Sequence, residues 1–318
     1  MLLQIVQGKC DHKAKDHFEV IDMIACVQMK LRAEDYRTEQ TFENKIMSIM
    51  DQIRRESGEG RLLVVFPEHI GTFCIMCNAP QGVWSKNSFA KASASLVRHN
   101  WVAVIHYMVT YRVSPVRALF LAKATEIERI YLSVFTKAAR KYGAWIIAGS
   151  GTLRWGETKR IYNSSPAITP TGDVMYRQHK VNLVEMEGRG GLDLEPAPLN
   201  YMSVVQSPFG DLGVAVCLDA FQDEVRQRLM GLGAQILIQP SANNGPWNEW
   251  QQQDWLRSSF AAVAENNEFD LAINPMLVGN FLDVEFEGQS SIIDHQGYVI
   301  KAKTHNEEEI LLKKDLLD

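Results

Sequence analysis

In the second half of the chain, short runs rich in Val, Ile and Leu alternate with stretches of helical spacing. LGVAVCLD at 212–219 is followed by a helix from Gln222 to Leu232, QILIQP at 235–240, a helix from Trp247 to Asn266, and strands at 270–275 and 288–294. Strands alternating with helices in this way must be covered by them, which restricts the chain to an α/β architecture. The first half repeats the order. MIACVQ at 23–28 reads as a buried strand, and residues 40–55 place Phe42, Ile46, Ile49, Met50 and Ile53 on one helical face. RLLVVFPEH at 61–69 is a β-rich run stopped by Pro67. A helix near 124–142, strands at 144–150 and 161–169, a tight turn at TPTGD and the returning VMYRQHK complete the pattern.

Hydrophobic residues make up 46% of the 318, enough for one large core, and no fixed-period repeat or low-complexity linker divides the chain. Residues 1–318 therefore read as a single domain, with 1–21 as an N-terminal extension. That extension lacks the apolar core and small-residue cleavage site of a signal peptide, so a cytoplasmic location is expected. A net charge of -5 disfavours nucleic acid as a partner. The five cysteines are odd in number and scattered, which suits a reducing compartment. Cys74 and Cys77 form a CxxC with no second ligand pair, so neither a metal nor any other cofactor is expected.

Cys217, at the end of GVAVC, reads either as a small hydrophobe finishing a core strand or as a nucleophile where a strand opens into a site. Glu68 follows LLVVFP and Lys180 ends YRQHK, so each lies at a predicted strand end, where open α/β sheets collect catalytic groups. Taken singly, each charged residue also fits a solvated loop. A thiol hydrolase needs a nucleophile, a base and an oxyanion pocket, and these three residues supply those chemistries.

The ordered motifs VVFPE at 64–68, RQHKVNLVEMEG at 177–188, GVAVCLD at 213–219, GAQILIQPSA at 233–242, AAVAENNEFDLAINP at 261–275 and GQSSIIDHQGYVI at 288–300 carry a resemblance. The chain resembles the nitrilase, or carbon–nitrogen hydrolase, superfamily. The resemblance implies an α/β fold, a four-layer α-β-β-α sandwich of the nitrilase type, assembled as a homodimer or larger homo-oligomer. It implies Cys217 as nucleophile, Glu68 as general base, Lys180 and the backbone N–H of Leu218 as oxyanion holders, and Glu187 as a second glutamate orienting the lysine and substrate. Cys217-Leu218-Asp219 leans to an amide substrate, with nitrile hydrolysis and acyl transfer to an amine as alternatives. A catalytically idle, membrane-associated scaffold is the non-enzymatic alternative. Ala220 and Phe221 stand where branches acting on N-carbamoyl amino acids place arginine. Asn243 and Trp247, on SANNGPWNEW, fit either the acyl pocket or capping and core packing.

Residues 86–123 are longer than the resemblance accounts for. Between Glu68 and Glu126 there are no acidic residues, whereas Lys86, Lys91, Arg98, Arg112, Arg117 and Lys123 are basic. Trp101, Ile105, Met108 and Val109 share a helical stripe that Pro115 would end near Val113. A lid or subunit interface, a helix on an anionic membrane surface, and ordinary core are the three readings of this insert. The apolar run at 101–111 is well short of the roughly 20 residues of a spanning helix.

Overall fold

A computed structural model describes residues 22–314. The extension at 1–21, with Cys10, lies outside the described residues. The chain opens with β1 (Asp22–Arg32), α1 (Glu39–Ser57) and β2 (Arg61–Val65), then enters the insert with α2 (Gln81–Trp84), α3 (Phe89–His99) and α4 (Trp101–Tyr111). The long α5 (Pro115–Tyr142) leads to β3 (Ala144–Ile147), β4 (Gly151–Arg154), β5 (Ile161–Ile168) and β6 (Val174–His179). Next come β7 (Val204–Ser207), β8 (Gly210–Val214), α6 (Asp223–Gly231), β9 (Ile236–Ile238), β10 (Ser241–Ala242) and α7 (Glu249–Trp255). The described part closes with β11 (Leu271–Asn274), β12 (Met276–Phe281), β13 (Val284–Phe286), β14 (Ser291–Asp294), β15 (Gly297–Lys301) and β16 (Glu309–Lys314).

These strands form two sheets. One runs β10-β12-β1-β2-β3-β5-β4, with β13, β16 and β6 attached, and the other runs β15-β14-β11-β9-β8-β7. The two-residue period of each strand sorts its side chains between layers. Leu62 and Val64 of β2 face the helical side with Phe42, Ile46 and Phe135, whereas Leu63 and Val65 face the second sheet. In β9, Ile236 and Ile238 meet that inter-sheet core while Leu237 packs under α6 with Val225 and Leu229. The result is four layers, helix, sheet, sheet and helix, as the sequence resemblance implied.

Two local readings are corrected. The helix expected near 124–142 begins at Pro115, because proline suits the first helical position and Ser114 caps it by accepting from the backbone N–H of Arg117. The helix expected from Trp247 to Asn266 is divided: α7 gives way to a π-type helix over Leu256–Glu265 with non-helical geometry at Ser258. There the Ser258 hydroxyl donates to the carbonyl of Trp255, a local alternative to the regular ladder. In the insert, Met108 is half-buried, while Trp101, Ile105 and Val109 are exposed with Val102.

Truncating Ile238, fully buried between the sheets, removes packing from both. Ile238→Ala is expected to cost about 2–5 kcal/mol with little change in the urea m-value, read by equilibrium denaturation.

Candidate active site

The first sheet delivers Glu68. Its β2 ladder continues through the N–H of Phe66 bonded to the carbonyl of Ile147, and Pro67, having no N–H, ends it. Gly149 sits at φ +70, and a Cβ there would fall 2.0 Å from the Pro67 carbonyl oxygen. This position admits only glycine and lets the backbone approach the segment that carries Glu68. The next residue, His69, is left-handed at φ 64, and its N–H donates to Ser150 Oγ at 3.0 Å.

The Glu68 carboxylate is buried against Lys180, whose Nζ lies 2.7 Å from Glu68 Oε1 and 2.7 Å from Glu187 Oε2. Lys180 is fully buried just past β6, where its N–H donates to the carbonyl of Asn163. Glu187 ends a short turn at Glu185–Glu187 and accepts from the N–H of Val184. Burial opposes charge on both Lys180 and Glu187, but the ion pairing wins: the ammonium is held well above the ordinary lysine range and Glu187 below the ordinary carboxylate range.

Cys217 comes from the second sheet. Past β8 the chain keeps pairing through Ala215 and through Cys217 N–H, which donates to the carbonyl of Pro240. The chain then turns sharply, with Cys217 at φ 51. A non-glycine residue in this region carries about 1–3 kcal/mol of strain, and nucleophiles of other hydrolases are presented on comparable turns. Burial pushes the Cys217 thiol far up, Glu68 pushes it further, and Lys180 pulls it down.

Glu68, Cys217, Leu218 and Asn243 line one cavity of about 690 Å³, together with His69, Phe221 and Trp255. Lys180 and Glu187 back Glu68 from inside the protein. Trp247 stands apart. It packs edge-on against Trp255 at 5.4 Å and donates from Nε1 to Gln289 Oε1, so it supports a wall residue. The amide of Asn243 is committed to the carbonyls of Gly245 and Glu287.

Three residues here were not singled out from the sequence for these contacts. Asn163 Nδ2 donates both to Glu68 Oε1 at 2.9 Å and to Glu187 Oε1 at 2.7 Å, holding the two carboxylates in register. Its signal was a polar side chain in β5, where every residue is buried. Asp219 accepts from the N–H groups of Val181 and Asn182 and from the Asn182 amide, tying the segment after Lys180 to the turn after Cys217. Burial lifts the Asp219 carboxyl to about 6 against the pull of those bonds. His69 places Nε2 3.6 Å from Glu187 and 3.8 Å from Glu68, and its Nδ1 meets Thr72 Oγ1 at 3.1 Å.

Glu68, His69 and Glu187 are close enough together to share a metal ion. The Lys180 ammonium, however, already lies between the two carboxylates, and a dication beside it would be repelled. Cys74 and Cys77 are buried in the apolar core on the helical side, where burial keeps the Cys74 thiol well above its ordinary range.

The carbon–nitrogen hydrolase family model matches residues 23–314. The chain belongs to this family. Human deaminated glutathione amidase is 34% identical over 120 residues, covering 35% of this chain and 36% of that protein. Omega-amidase NIT2 of Xenopus tropicalis is 25% identical over 183 residues, covering 55% of this chain and 63% of that one. The matched stretches thus span less than two thirds of these relatives' lengths. In fold, the chain is similar to Saccharomyces cerevisiae Nit3, a member of branch 10 of the nitrilase superfamily (TM-score 0.61, 18% identity, 93% of this chain and 90% of that one). It is similar also to an amidase from Nesterenkonia sp. AN1 solved with acrylamide added at its active-site cysteine (TM-score 0.62, 17% identity, 92% of each chain). Amidases are thus among the relatives of this family member.

His179, next to Lys180, is stacked on Tyr162 at 4.8 Å, and burial lowers its pKa from 6.5 to about 4. The unfolded chain binds this proton near pH 6.5 and the folded chain only near pH 4. The stability contributed by neutral His179 is complete above pH 6.5 and is lost, up to about 3 kcal/mol, as pH falls through that window. Urea melts between pH 7 and 4 should show this slope, and His179→Gln should flatten it.

Proposed function

We propose that this carbon–nitrogen hydrolase cleaves a small-molecule amide through a thioester on Cys217. One observation carries the reading: Cys217, on its strained turn, shares a cavity with Glu68, and Glu68 is bonded to the buried ammonium of Lys180. Glu68 takes the Sγ proton as the sulfur attacks the carbonyl carbon. Lys180 has three N–H bonds, two engaged by Glu68 and Glu187, which leaves one for the oxyanion beside the backbone N–H of Leu218. The C–N bond then breaks, Glu68 returns its proton to the departing amine, and a thioester remains. Water, deprotonated by Glu68, attacks the thioester carbon, and the acid leaves as the thiol regains its proton. Glu187 and Asn163 position Lys180 and Glu68. The named relatives are amidases, which supports an amide over a nitrile.

Ammonia release from short, aromatic and long-chain primary amides tests this, with intact-mass detection of an acyl adduct. Cys217→Ala is expected to lose activity by about 10³-fold or more and to show no adduct. Glu68→Gln should lose roughly 10²–10⁴-fold. Equal release by wild type and Cys217→Ala would overturn the proposal, and activity confined to nitriles would reassign the substrate.

We also propose that the outer face of α4 rests on an anionic membrane surface, giving a peripheral location. Trp101, Val102, Ile105 and Val109 are exposed there, with Arg98 and Arg112 exposed at its two ends. Arg117 and Lys123 do not contribute, because Arg117 is buried on Asp193 and Glu195 and Lys123 pairs with Glu126. Among the described residues no helix is long and apolar enough to cross a membrane. In flotation with phosphatidylserine vesicles, the Trp101→Lys, Ile105→Lys double variant should shift to the soluble fraction. Equal soluble recovery for both proteins would sink the idea, and a wild-type dimer dissociated by the same changes would assign the face to a second copy.

A further inference from the structure

A second cavity, also of about 690 Å³, adjoins the first, and His69, Met186, Gly190 and Gly191 line both. Its roof is the inner face of α3, with Phe89, Ser93 and Val97, and the first turns of α5, with Val116, Leu119 and Phe120. Phe73, Ile75 and Phe286 form its floor. The polar groups in the wall are largely engaged elsewhere. Asp283 accepts from the N–H of Phe89, capping the start of α3, and Thr72 bonds to His69 and Thr152. His69 turns its two ring nitrogens to Thr72 and the buried carboxylates. A guest here meets chiefly hydrocarbon and aromatic surface, in a volume typical of sites for whole small molecules.

We propose that this cavity is an acyl-chain channel, and that the substrate is the amide of a medium- or long-chain aliphatic acid; the inference rests on the amide-hydrolase reading above and names its substrate class. The chain belongs to the acyl part of the substrate for a kinetic reason. The acyl group stays bound through both half-reactions, whereas the amine must leave and water must enter between them. The catalytic cavity itself carries Glu185, Asn244, Gln251 and Asp254, polar groups suited to that exchange. The apolar channel leads away from it under the insert. Exposed Ala94, Arg98 and Pro115 also line the channel, and Arg98 lies one turn of chain before Trp101.

The test compares butanamide, octanamide and dodecanamide with N-octylacetamide and N-dodecylacetamide, which carry the same chains on nitrogen. Each buried methylene is worth up to about fourfold, so kcat/KM should rise at least about tenfold from butanamide to octanamide. The N-alkyl acetamides should gain nothing. Ser93→Phe, which fills the roof, should move the optimum to shorter acyl groups, and Val97→Ala should move it to longer ones. Cys217→Ala should bind dodecanamide with a negative heat-capacity change in calorimetry, a readout independent of turnover. A flat or falling acyl-length profile in Cys217-dependent hydrolysis would overturn the channel while leaving the amidase reading intact. Preference for the N-alkyl series would overturn its assignment to the acyl group. Absence of dodecanamide binding to Cys217→Ala would also overturn it. Tight dodecanamide binding without Cys217-dependent hydrolysis of any amide would instead overturn the amidase reading and leave the channel standing.

Discussion

The ammonium of Lys180, wholly buried between the carboxylates of Glu68 and Glu187, is the interaction around which the rest is built. An ammonium in a dry interior is tolerable only when paired and hydrogen-bonded, and removing one partner of such a pair typically costs about 3–5 kcal/mol. Two carboxylates face this one ammonium, and in the proposed mechanism the one that lines the cavity with Cys217, Glu68, accepts the thiol proton. Asn163 spreads its two N–H bonds over both carboxylates, a second bridge between them beside the ammonium.

The two sheets contribute unequally to this centre. Glu68, Lys180 and Asn163 come from the first sheet and its strand ends, and Cys217 comes from the end of β8 in the second. The inter-sheet core of Ile24, Leu63, Val65, Val214, Ile238 and Ile273 therefore does more than exclude water. It sets the distance between a thiol and a carboxylate that no local segment could bring together.

Much of this was legible in the chain. The β-rich runs ending at Glu68 and Cys217 have a two-residue period that survives in the fold, and the ordered motifs identified the family. What was not legible depended on contacts distant in sequence. Pro115 reads as a stop after the stripe at 101–111, which it is, but the Ser114 cap and the buried pairing of Arg117 with Asp193 also make it the start of the next helix. Trp247 and Trp255 look alike as tryptophans near one helix, yet the break at Ser258 belongs to the segment that leaves Trp255 on the cavity wall and Trp247 behind it. Asp219 reads as part of a family signature, whereas its carboxylate is spent on the backbone of Val181 and Asn182.

That last contact fixes more than one loop. Because Asp219 binds the segment following Lys180 to the turn following Cys217, the two segments are tied directly to each other across the two sheets. Among the described residues, Ser114 and Arg117 of the insert bond instead to the loop at Asp193. In the proposed reading, a change in the roof alters which molecules enter, while the Asp219 bonds keep the nucleophile turn and the lysine segment together, so selectivity and chemistry rest on separate contacts.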